Sequence, residues 1–496
     1  SEIINAVFIF SSQIFFKMAD KKNMILSYKR LRNIDFRVVW QDIKEAISGT
    51  ERDFTETRLG KAIFILAVPM VLEMIMESVF AVVDIFFVSR LGADAVATVG
   101  ITESAMTIVY AIGMGLAMAT TALVSRRIGE KKKKEAGEVA FQSIMVAIIV
   151  SVFIAIPGIL FAPQFLRLMG ATESMTENGY LFPAIMFGGN VVVMLLFIIN
   201  AVFRSSGDAA ISMRVMWFAN IINVILDPLL IFGIGPFPEM GLKGAAVATT
   251  IGRGLAVIYQ FYLLFKGNHR IRLYLGNMKI RLNVIWNLLK ISRGGILQNL
   301  IATSSWVLLV RIISTSGPDA LAGYTIAIRI VIFLLLPAWG LSNAASTLVG
   351  QNLGAKKPDR AEKSVWITAY VNMVFMGVMG IMLSFFPEFF IRLFISETTV
   401  IENGITALRT ISFGFLFYAI GMVMVQGFNG SGDTATPTKI NLICFWLFEI
   451  PLAYLLAITL DMGLMGASIA IVSAETLLAI IALTLFRKGK WKLREV

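Results

Sequence analysis

Long apolar runs alternate with short polar connections along most of the chain. Twelve such runs can be distinguished, and each is long enough to cross a hydrocarbon core of about 30 Å as a helix. Charged residues collect in the connections, so the pattern predicts twelve transmembrane helices. The predicted spans are 62–88, 98–124, 139–161, 179–203, 210–234, 241–265, 284–312, 320–349, 363–386, 404–429, 437–460 and 463–486.

The basic residues predict the orientation of these spans. Even-numbered connections are rich in lysine and arginine, for example at Arg126 and Lys356, whereas odd ones carry few, such as Arg90. Because basic loops stay on the cytoplasmic side, we expect a multi-pass protein of the cell inner (cytoplasmic) membrane with both termini cytoplasmic. In the basic loops, Gly129 and Gly354 are interpreted as helix C-caps.

Composition narrows the class further. Of 496 residues, 57% are hydrophobic and 15% charged, and the net charge is +12. This indicates an all-α membrane protein whose basic charge reflects topology and not nucleic acid binding. The single histidine, His269, and the single cysteine, Cys444, argue against a zinc, haem or iron-sulfur enzyme. The chain has no phosphate-binding loop for ATP.

The second half of the chain repeats the first. Sliding the sequence along itself brings Gly92–Ala97 onto Gly317–Ala322 and Phe203–Asp208 onto Phe428–Asp433. Six spans in each half give the halves one orientation, related by an axis along the membrane normal, and transporters of this design bind substrate between them. We therefore divide the chain into an N-terminal extension (1–58), an N-lobe (59–280) and a C-lobe (281–496).

Within the extension, residues 29–48 have helical periodicity. Trp40, Ile43 and Ile47 recur on one face beside basic residues such as Lys44. Two interpretations stay open: a helix that lies on an anionic membrane surface, or an ordinary solvated helix.

Acidic residues inside the apolar runs are the strongest functional signal. An ionised carboxylate at the centre of a spanning helix costs about 2.5 to 3.5 kcal/mol. In the first span Glu73, Glu77 and Asp84 share one helical face, which predicts that this face meets a cavity, a partner or a transported ion. Pro69, earlier in the same span, removes a backbone hydrogen bond and predicts a bend or hinge.

The fifth span complements the first. Asn223 and Asp227 are four residues apart and share a face, and Asp227 is predicted at the same depth as Asp84. If the two spans adjoin, two carboxyl groups in a low dielectric take up a proton or another cation. Ion coupling and structural pairing are the two alternatives, and we favour coupling for Asp84 and Asp227. The same alternatives apply to Glu73 and Glu77.

The second half has no equivalent pair on its corresponding spans. Glu449 and Glu475 fall near the middle of the eleventh and twelfth spans, and Gln298 lies in the seventh. For Gln298 and Glu449 the alternatives are hydrogen bonding between helices and contact with a substrate.

Three segments resemble a known family: Ala81–Val88, Asn223–Gly233 and Leu348–Ala355. On these segments the chain resembles a multidrug and toxic compound extrusion (MATE) transporter over roughly residues 59–486. The resemblance implies twelve helices in two lobes around a central cleft. It further implies that the cleft alternates between outward- and inward-facing forms.

The resemblance also implies roles for individual residues. Asp84, Asn223 and Asp227 match the cation site of the prokaryotic branch that couples in the N-lobe, and Thr249 matches a fourth member of that site. Such a set can hold sodium or take a proton, and both ions stay open. Pro69 matches the proline associated with bending of the first helix.

A second branch of the family couples in the C-lobe, through a glutamate in the seventh helix and an aspartate in the tenth. Gln298 and Tyr418 occupy those regions here, so C-lobe coupling is not expected. Together with Glu73, Glu77 and Glu449, they are predicted to line a cavity.

We therefore expect a secondary antiporter that exports amphiphilic, often cationic, compounds in exchange for H⁺ or Na⁺. It is expected to be a monomer among membrane lipids, with no enzymatic activity, cofactor, nucleic acid or ATPase partner. The nearest rival function is a flippase or exporter of lipid-linked or other amphiphilic metabolites from the same superfamily, which the acidic N-lobe disfavours. A lipid-processing enzyme and a passive channel are more distant candidates, and the lone histidine weighs against the enzyme.

Overall fold

The chain folds as a bundle of long helices. A computed structural model describes residues 36–50, 52–266, 269–273 and 279–496, and no strand occurs among them. Eleven helices are long and apolar enough to span a membrane, and a bent pair, Thr398–Ser412 and Phe415–Ser431, supplies a tenth span in chain order. The predicted all-α fold with twelve spans is confirmed. The other spans are Leu59–Ser89, Ala93–Gly129, Lys133–Leu160, Leu181–Ser206, Ala209–Phe232, Leu242–Lys266, Leu282–Ser316, Pro318–Gly354, Pro358–Phe385, Ala435–Thr459 and Gly463–Arg487.

Two spans of the C-lobe depart from straight α-helices. The tenth begins at Thr398, ahead of its predicted start, and its halves meet at an angle of 53°. The eleventh contains two π-helical segments, Leu442–Glu449 and Leu455–Thr459, on either side of a short α-helix. Because π-helix is rare and concentrates at functional sites, the eleventh span is a candidate for a binding role.

Both described chain ends lie on one face of the bundle, called here the terminal face. The guanidinium of Arg126, at the end of the second span, donates to the Arg494 carbonyl at 2.7 Å. The N-terminal helix Phe36–Ser48 docks beside the first span, and Trp40 on its surface is 69% exposed. The part of the predicted helix before residue 36 lies outside the described residues.

The two lobes meet closely at the terminal face. A Cβ at Gly129 would overlap the Gln351 carbonyl, and a Cβ at Gly354 would overlap the Arg126 carbonyl. The Gln351 amide also donates to the Ser205 carbonyl at 2.8 Å. The second and eighth spans thus use small residues to bring their backbones together.

The predicted role of these two glycines as helix caps is wrong. Gly129 and Gly354 are the last residues of their helices, and the left-handed positions that follow are Lys131 and Lys356, with φ of 61° and 57°. The glycines are needed for the close contact between lobes.

The first span is one continuous helix through the buried Pro69. The eighth span crosses it at the next residue, where a Cβ at Gly340 would lie 2.7 Å from the Met70 carbonyl oxygen. Pro69 has no backbone N–H to donate, so the first span lacks one backbone hydrogen bond close to this crossing of the two lobes.

Candidate functional site

The first and fifth spans pack side by side in a fixed register. The Trp217 indole donates to the Leu72 carbonyl at 3.2 Å. The Asn220 amide donates to the Glu77 carboxylate at 3.3 Å. Two helical turns beyond Glu77 and Asn220 come Asp84 and Asp227, respectively. The register therefore places these two carboxyl groups at one level on neighbouring helices.

Asp227 is the most deeply buried acid of this site. It is 0% exposed, and its Oδ1 has no hydrogen-bond partner among the described residues. Asn223 and Thr249 beside it are buried as well, at 3% and 9% exposure. An ionised, half-satisfied carboxylate in such a place is unfavourable, so the geometry suits a group that binds a proton or a cation.

The Asn223 amide links Asp227 to the sixth span. Its Nδ2 donates to Asp227 Oδ2 at 2.8 Å, and its Oδ1 accepts from the Thr249 backbone N–H and hydroxyl at 2.9 and 3.0 Å. Both amide atoms thereby have partners, and Asp227 Oδ1 is left as the carboxylate oxygen without one among the described residues.

Asp84 completes the set of four predicted coupling residues. It is partly exposed, unlike the other three, and it lies within electrostatic range of Asp227. The structure thus groups Asn223, Asp227 and Thr249 by direct contact and brings Asp84 alongside.

Glu73 and Glu77 both have basic neighbours in their own lobe. Glu73, 2% exposed, forms an ion pair with Arg204 at 3.0 Å. Glu77 lies 3.7 Å from Arg253 and also accepts from Asn220. Each of these acids therefore forms an ion pair within 4 Å, which neither Asp84 nor Asp227 does among the described residues.

The sequence analysis missed the centre of this polar network, Arg253. This arginine of the sixth span lies over the Phe80 ring, 5.7 Å from its centroid, and faces Glu77. Glu103 and Tyr110 of the second span join the network, and the tyrosine hydroxyl donates to the Glu103 carboxylate at 3.3 Å. The sequence offered a signal that could have found it, namely a charged residue inside an apolar run. Arg253 and Glu103 fit that description as well as the acids of the first span do.

The C-lobe residues named from the sequence lie in two places. The Gln298 backbone carbonyl accepts from the Asn441 amide at 3.2 Å, while the Gln298 side-chain oxygen is buried without a partner among the described residues. Glu449 is 7% exposed, accepts from the Ser305 hydroxyl at 3.2 Å and lies within electrostatic range of Tyr418. Tyr418 and Glu449 therefore belong together.

A cavity of about 460 Å³ lies where the second span meets the seventh and eleventh. Ser104 and Ile108 line it from the N-lobe, and Ser304 and Trp446 from the C-lobe. The Trp446 indole is fixed by hydrogen bonds of 3.2 Å to the Ile301 carbonyl and the Ser304 hydroxyl. The walls of the cavity are mostly apolar with a few hydroxyls, as is usual for small-molecule sites.

The described residues contain no group of three or more histidine, cysteine, aspartate or glutamate side chains able to hold a metal ion. Sodium at the N-lobe site would therefore rely on oxygens of mixed type, from the carboxyls of Asp84 and Asp227, the amide of Asn223 and the hydroxyl of Thr249. Carboxylate, carbonyl and hydroxyl oxygens are the ligands of hard cations, so the donor set fits.

Twelve apolar helices in two repeated lobes, with acids buried between the helices, define a polytopic membrane transporter. The two matching parts of the chain, residues 69–229 and 295–455, correspond to the two halves of the repeat, and each fits the MatE family model. The chain belongs to the MatE family and is a MATE transporter. The resemblance inferred from its motifs is confirmed.

Curated relatives span nearly the whole chain. A probable multidrug resistance protein NorM of Thermotoga maritima is 27% identical over 442 residues, 88% of this chain and 94% of that protein. The FAD transporter of Shewanella oneidensis is 27% identical over 398 residues, 80% of this chain and 88% of that protein. The multidrug export protein MepA of Staphylococcus aureus is 22% identical over 434 residues, 87% of this chain and 94% of that protein.

Solved structures show the same fold. A MOP superfamily transporter from Pyrococcus furiosus superposes with a TM-score of 0.83 at 24% identity, covering 91% of this chain and 98% of that one. An outward-facing multidrug resistance MATE transporter gives a TM-score of 0.83 at 23% identity, covering 89% and 98%. The two-lobed arrangement is therefore that of the family.

Proposed function

We propose that this transporter exports amphiphilic, often cationic, small molecules in exchange for H⁺ or Na⁺, with Asp84 and Asp227 as the ion-binding carboxyls. The observation that carries the proposal is the buried Asp227, with one carboxylate oxygen unsatisfied among the described residues and Asp84 at the same level. Relatives named multidrug resistance or export proteins support the substrate class. The transporter acts as a monomer among membrane lipids, with no ATPase subunit, nucleic acid or cofactor beyond the coupling ion.

The exchange cycle follows from the position of the ion site. Ion binding neutralises Asp227, which the Asn223 amide joins to Thr249 of the sixth span, and ion release restores its charge. This change occurs between the first, fifth and sixth spans, and the first span also crosses the C-lobe next to Pro69. A membrane potential of 100 mV supplies about 2.3 kcal/mol for each charge that enters.

The orientation we propose puts the terminal face in the cytoplasm of a cell with an inner membrane. The even connections lie on that face and carry most of the basic residues, as the positive-inside rule requires. The contact of Gly129 with Gln351 then closes the cytoplasmic side, and the described form is outward-facing.

The test is efflux of a fluorescent cationic dye from vesicles, with proton and sodium gradients imposed separately. We expect Asp227→Asn and Asp84→Asn to abolish gradient-driven efflux, since a neutral amide cannot exchange a proton or balance a sodium ion. The matched control is Glu402→Gln, which removes an exposed carboxyl in the tenth span. Efflux that continues at the wild-type rate in both aspartate variants would refute the proposal.

The second candidate is export of a larger amphiphilic metabolite. It is favoured by the relative named FAD transporter. Efflux of FAD from the same vesicles, without efflux of the cationic dye, would favour this second candidate.

A further inference from the structure

The two lobes carry opposite charges at one position of the internal repeat. The sixth and twelfth spans start from Met240-Gly-Leu and Met462-Gly-Leu. Aligning these motifs sets Arg253 of the N-lobe on Glu475 of the C-lobe. Where the N-lobe has a guanidinium that neutralises its acids, the C-lobe has another acid.

Backbone packing supports this alignment. A Cβ at Gly244 in the sixth span would lie 2.5 Å from the Leu230 carbonyl oxygen of the fifth. A Cβ at Gly466 in the twelfth span would lie 2.7 Å from the Leu456 carbonyl carbon of the eleventh. The two glycines thus mark the same close crossing in each lobe, and this crossing fixes the register on both sides.

The same register brings the two C-lobe acids together. Glu449 precedes Leu456 by about two helical turns, and Glu475 follows Gly466 by about two and a half along the antiparallel partner helix, so the two acids lie within about one turn of the same level. They lie within electrostatic range of each other. The pair comes from the eleventh and twelfth spans, with Glu449 at the repeat position of Asn223. These spans do not correspond to the first and fifth, so the two glutamates are not the repeat equivalent of Asp84 and Asp227.

No ion pair joins Glu449 or Glu475 to a basic residue in the described part of the chain. Every described ion pair between spanning helices belongs to the N-lobe, through Arg127, Arg204 and Arg253. The Ser305 hydroxyl, at 3.2 Å from Glu449, is the one hydrogen-bond donor that the described residues offer this carboxylate. Glu449 is buried and Glu475 is partly buried, and an ionised acidic pair in such a place is costly unless a cation supplies the countercharge.

A buried tyrosine of the eighth span points to the same pair. Tyr324 is 1% exposed, its hydroxyl completes no hydrogen bond of standard geometry with the described residues, and it lies beside the Trp306 indole and within electrostatic range of Glu449. Tyr418 of the tenth span lies within electrostatic range of both acids. The pair thus lies among aromatic rings and one unsatisfied hydroxyl.

We propose that Glu449 and Glu475, with Tyr324 and Tyr418 beside them, form a binding site in the C-lobe for the charged group of a lipophilic organic cation. This inference rests on the proposed function and names the residues that select the substrate. Carboxylates surrounded by aromatic faces suit a large, weakly hydrated cation, through charge and cation–π attraction together. A small hard cation needs more oxygens than these residues offer.

The cavity between the lobes lies near this pair. Ser304 and Trp446 line the cavity, Ser305 follows Ser304 in the chain and bonds Glu449, and Trp446 precedes Glu449 by three residues in the π-helical segment. The cavity therefore lies next to the parts of the seventh and eleventh spans that hold Glu449.

The test is equilibrium binding of tetraphenylphosphonium to the full chain in lipid nanodiscs, with neutral triphenylphosphine oxide as the uncharged analogue. We expect Glu449→Gln and Glu475→Gln each to weaken phosphonium binding tenfold or more and to leave the weak binding of the oxide unchanged. Glu449→Asp should retain part of the affinity. The matched control is again Glu402→Gln, with wild-type binding.

Thermal unfolding of every variant separates a ligand role from a structural one. Variants that unfold at the wild-type temperature and still bind phosphonium with wild-type affinity would overturn the proposal. So would a parallel loss of binding for the charged and the neutral compound, because that marks damage to the cavity. If a glutamine variant fails to fold, Tyr324→Phe removes the unsatisfied hydroxyl alone and should weaken phosphonium binding severalfold, whereas unchanged binding would refute the site.

Failure of this inference can be told from failure of the proposed function. Asp227→Asn should abolish gradient-driven efflux and retain phosphonium binding, because it leaves the C-lobe pair intact. Loss of binding in Asp227→Asn with wild-type binding in the glutamine variants would place the cation site in the N-lobe. Efflux that is unaffected in the aspartate variants would refute the coupling proposal. The C-lobe binding site would then be judged from the binding measurements alone.

Discussion

Arg253 shows how one basic side chain organises the acids of a membrane lobe. It lies near Glu77 of the first span and Glu103 of the second, and its own helix has no other charged residue between it and Lys266. Removing one partner of a buried ion pair leaves an uncompensated charge, which costs more than the pair itself contributes. The network should therefore respond more strongly to loss of the arginine than to loss of either acid.

We expect Arg253→Gln to destabilise the protein by less than the roughly 3 to 5 kcal/mol that breaking a fully buried ion pair costs, because the Glu77 side chain is 34% exposed. Adding Glu77→Gln should restore part of the loss, because the second change removes a repelling charge. Thermal unfolding of the purified protein in detergent measures both effects. Arg392→Gln, which breaks an exposed pair with Glu388, is the control and should cost about 1 kcal/mol or less. Additive losses in the double variant would contradict the network.

Substitution of single glycines should open the terminal face. Gly129→Ala puts a methyl group onto the Gln351 carbonyl of the opposite lobe, so the lobes must separate. We expect the variant to expose the terminal-face side of the cleft, seen as faster labelling of a cysteine placed at Ser205. The control is Gly100→Ala, because a Cβ there meets no atom within 4 Å. Equal labelling rates in the two variants would count against the closed terminal face.

At the scale of elements, the segment before the first span bridges the lobes. Phe54 is 0% exposed, and the Arg270 guanidinium lies 5.0 Å from its ring centroid on the N-lobe side. On the C-lobe side, Arg360 donates to the carbonyls of Phe54, at 3.2 Å, and Thr57, and Lys357 pairs with Glu56. This segment, residues 52–58, therefore helps to hold the lobes together at the terminal face.

Arg360→Gln should loosen that segment, because two main-chain carbonyls lose a charged donor. We expect the backbone amides of residues 52–58 to exchange hydrogen at least tenfold faster, with the spanning helices unchanged. Hydrogen exchange read by mass spectrometry measures this. Arg409→Gln removes a comparable bond to the Ser384 carbonyl on the opposite face and should leave the segment protected. Exchange unchanged in Arg360→Gln would mean that Phe54 alone anchors the segment.

Docking of the N-terminal helix Phe36–Ser48 should depend on pH. Burial acts to raise the pKa of Glu45, but hydrogen bonds from Arg52, Lys61 and Thr50 outweigh it and hold this pKa below its ordinary value of 4.5. A lowered pKa stabilises the docked helix above pH 4.5, and this contribution is lost as the pH falls through the lowered value. A spin label at Ile47 should therefore gain mobility in acid, and the same label with Glu45→Gln should show no such transition.

At the scale of the whole molecule, the sequence predicted the spans and the two halves but missed features that arise from contacts between helices. The twelve spans follow from the long apolar runs that lipid requires, and the two halves follow from the self-similarity of the sequence. The bend in the tenth span and the role of Gly129 depend on neighbours distant in sequence. The pairing of Glu449 with Glu475, and the countercharge from Arg253, likewise arise only where helices cross. Every charged residue inside an apolar run should have been given the same weight as the acids of the first span.

The lobes should move against each other as two bodies, and matched spin-label pairs can show it. Lys134 and Asp359 are repeat-equivalent exposed positions on the terminal face, and Leu168 and Leu393 are repeat-equivalent exposed positions on the opposite face. Because the described contacts join the lobes at the terminal face, we expect a narrow distance distribution for the first pair and a longer, broader one for the second.

Adding the coupling ion and tetraphenylphosphonium should lengthen the first distance and shorten the second, as measured by double electron–electron resonance in nanodiscs. The Asp227→Asn background should abolish the response to the ion. Distances at the two faces that change in the same direction would exclude rocking of rigid lobes and point to a local gate.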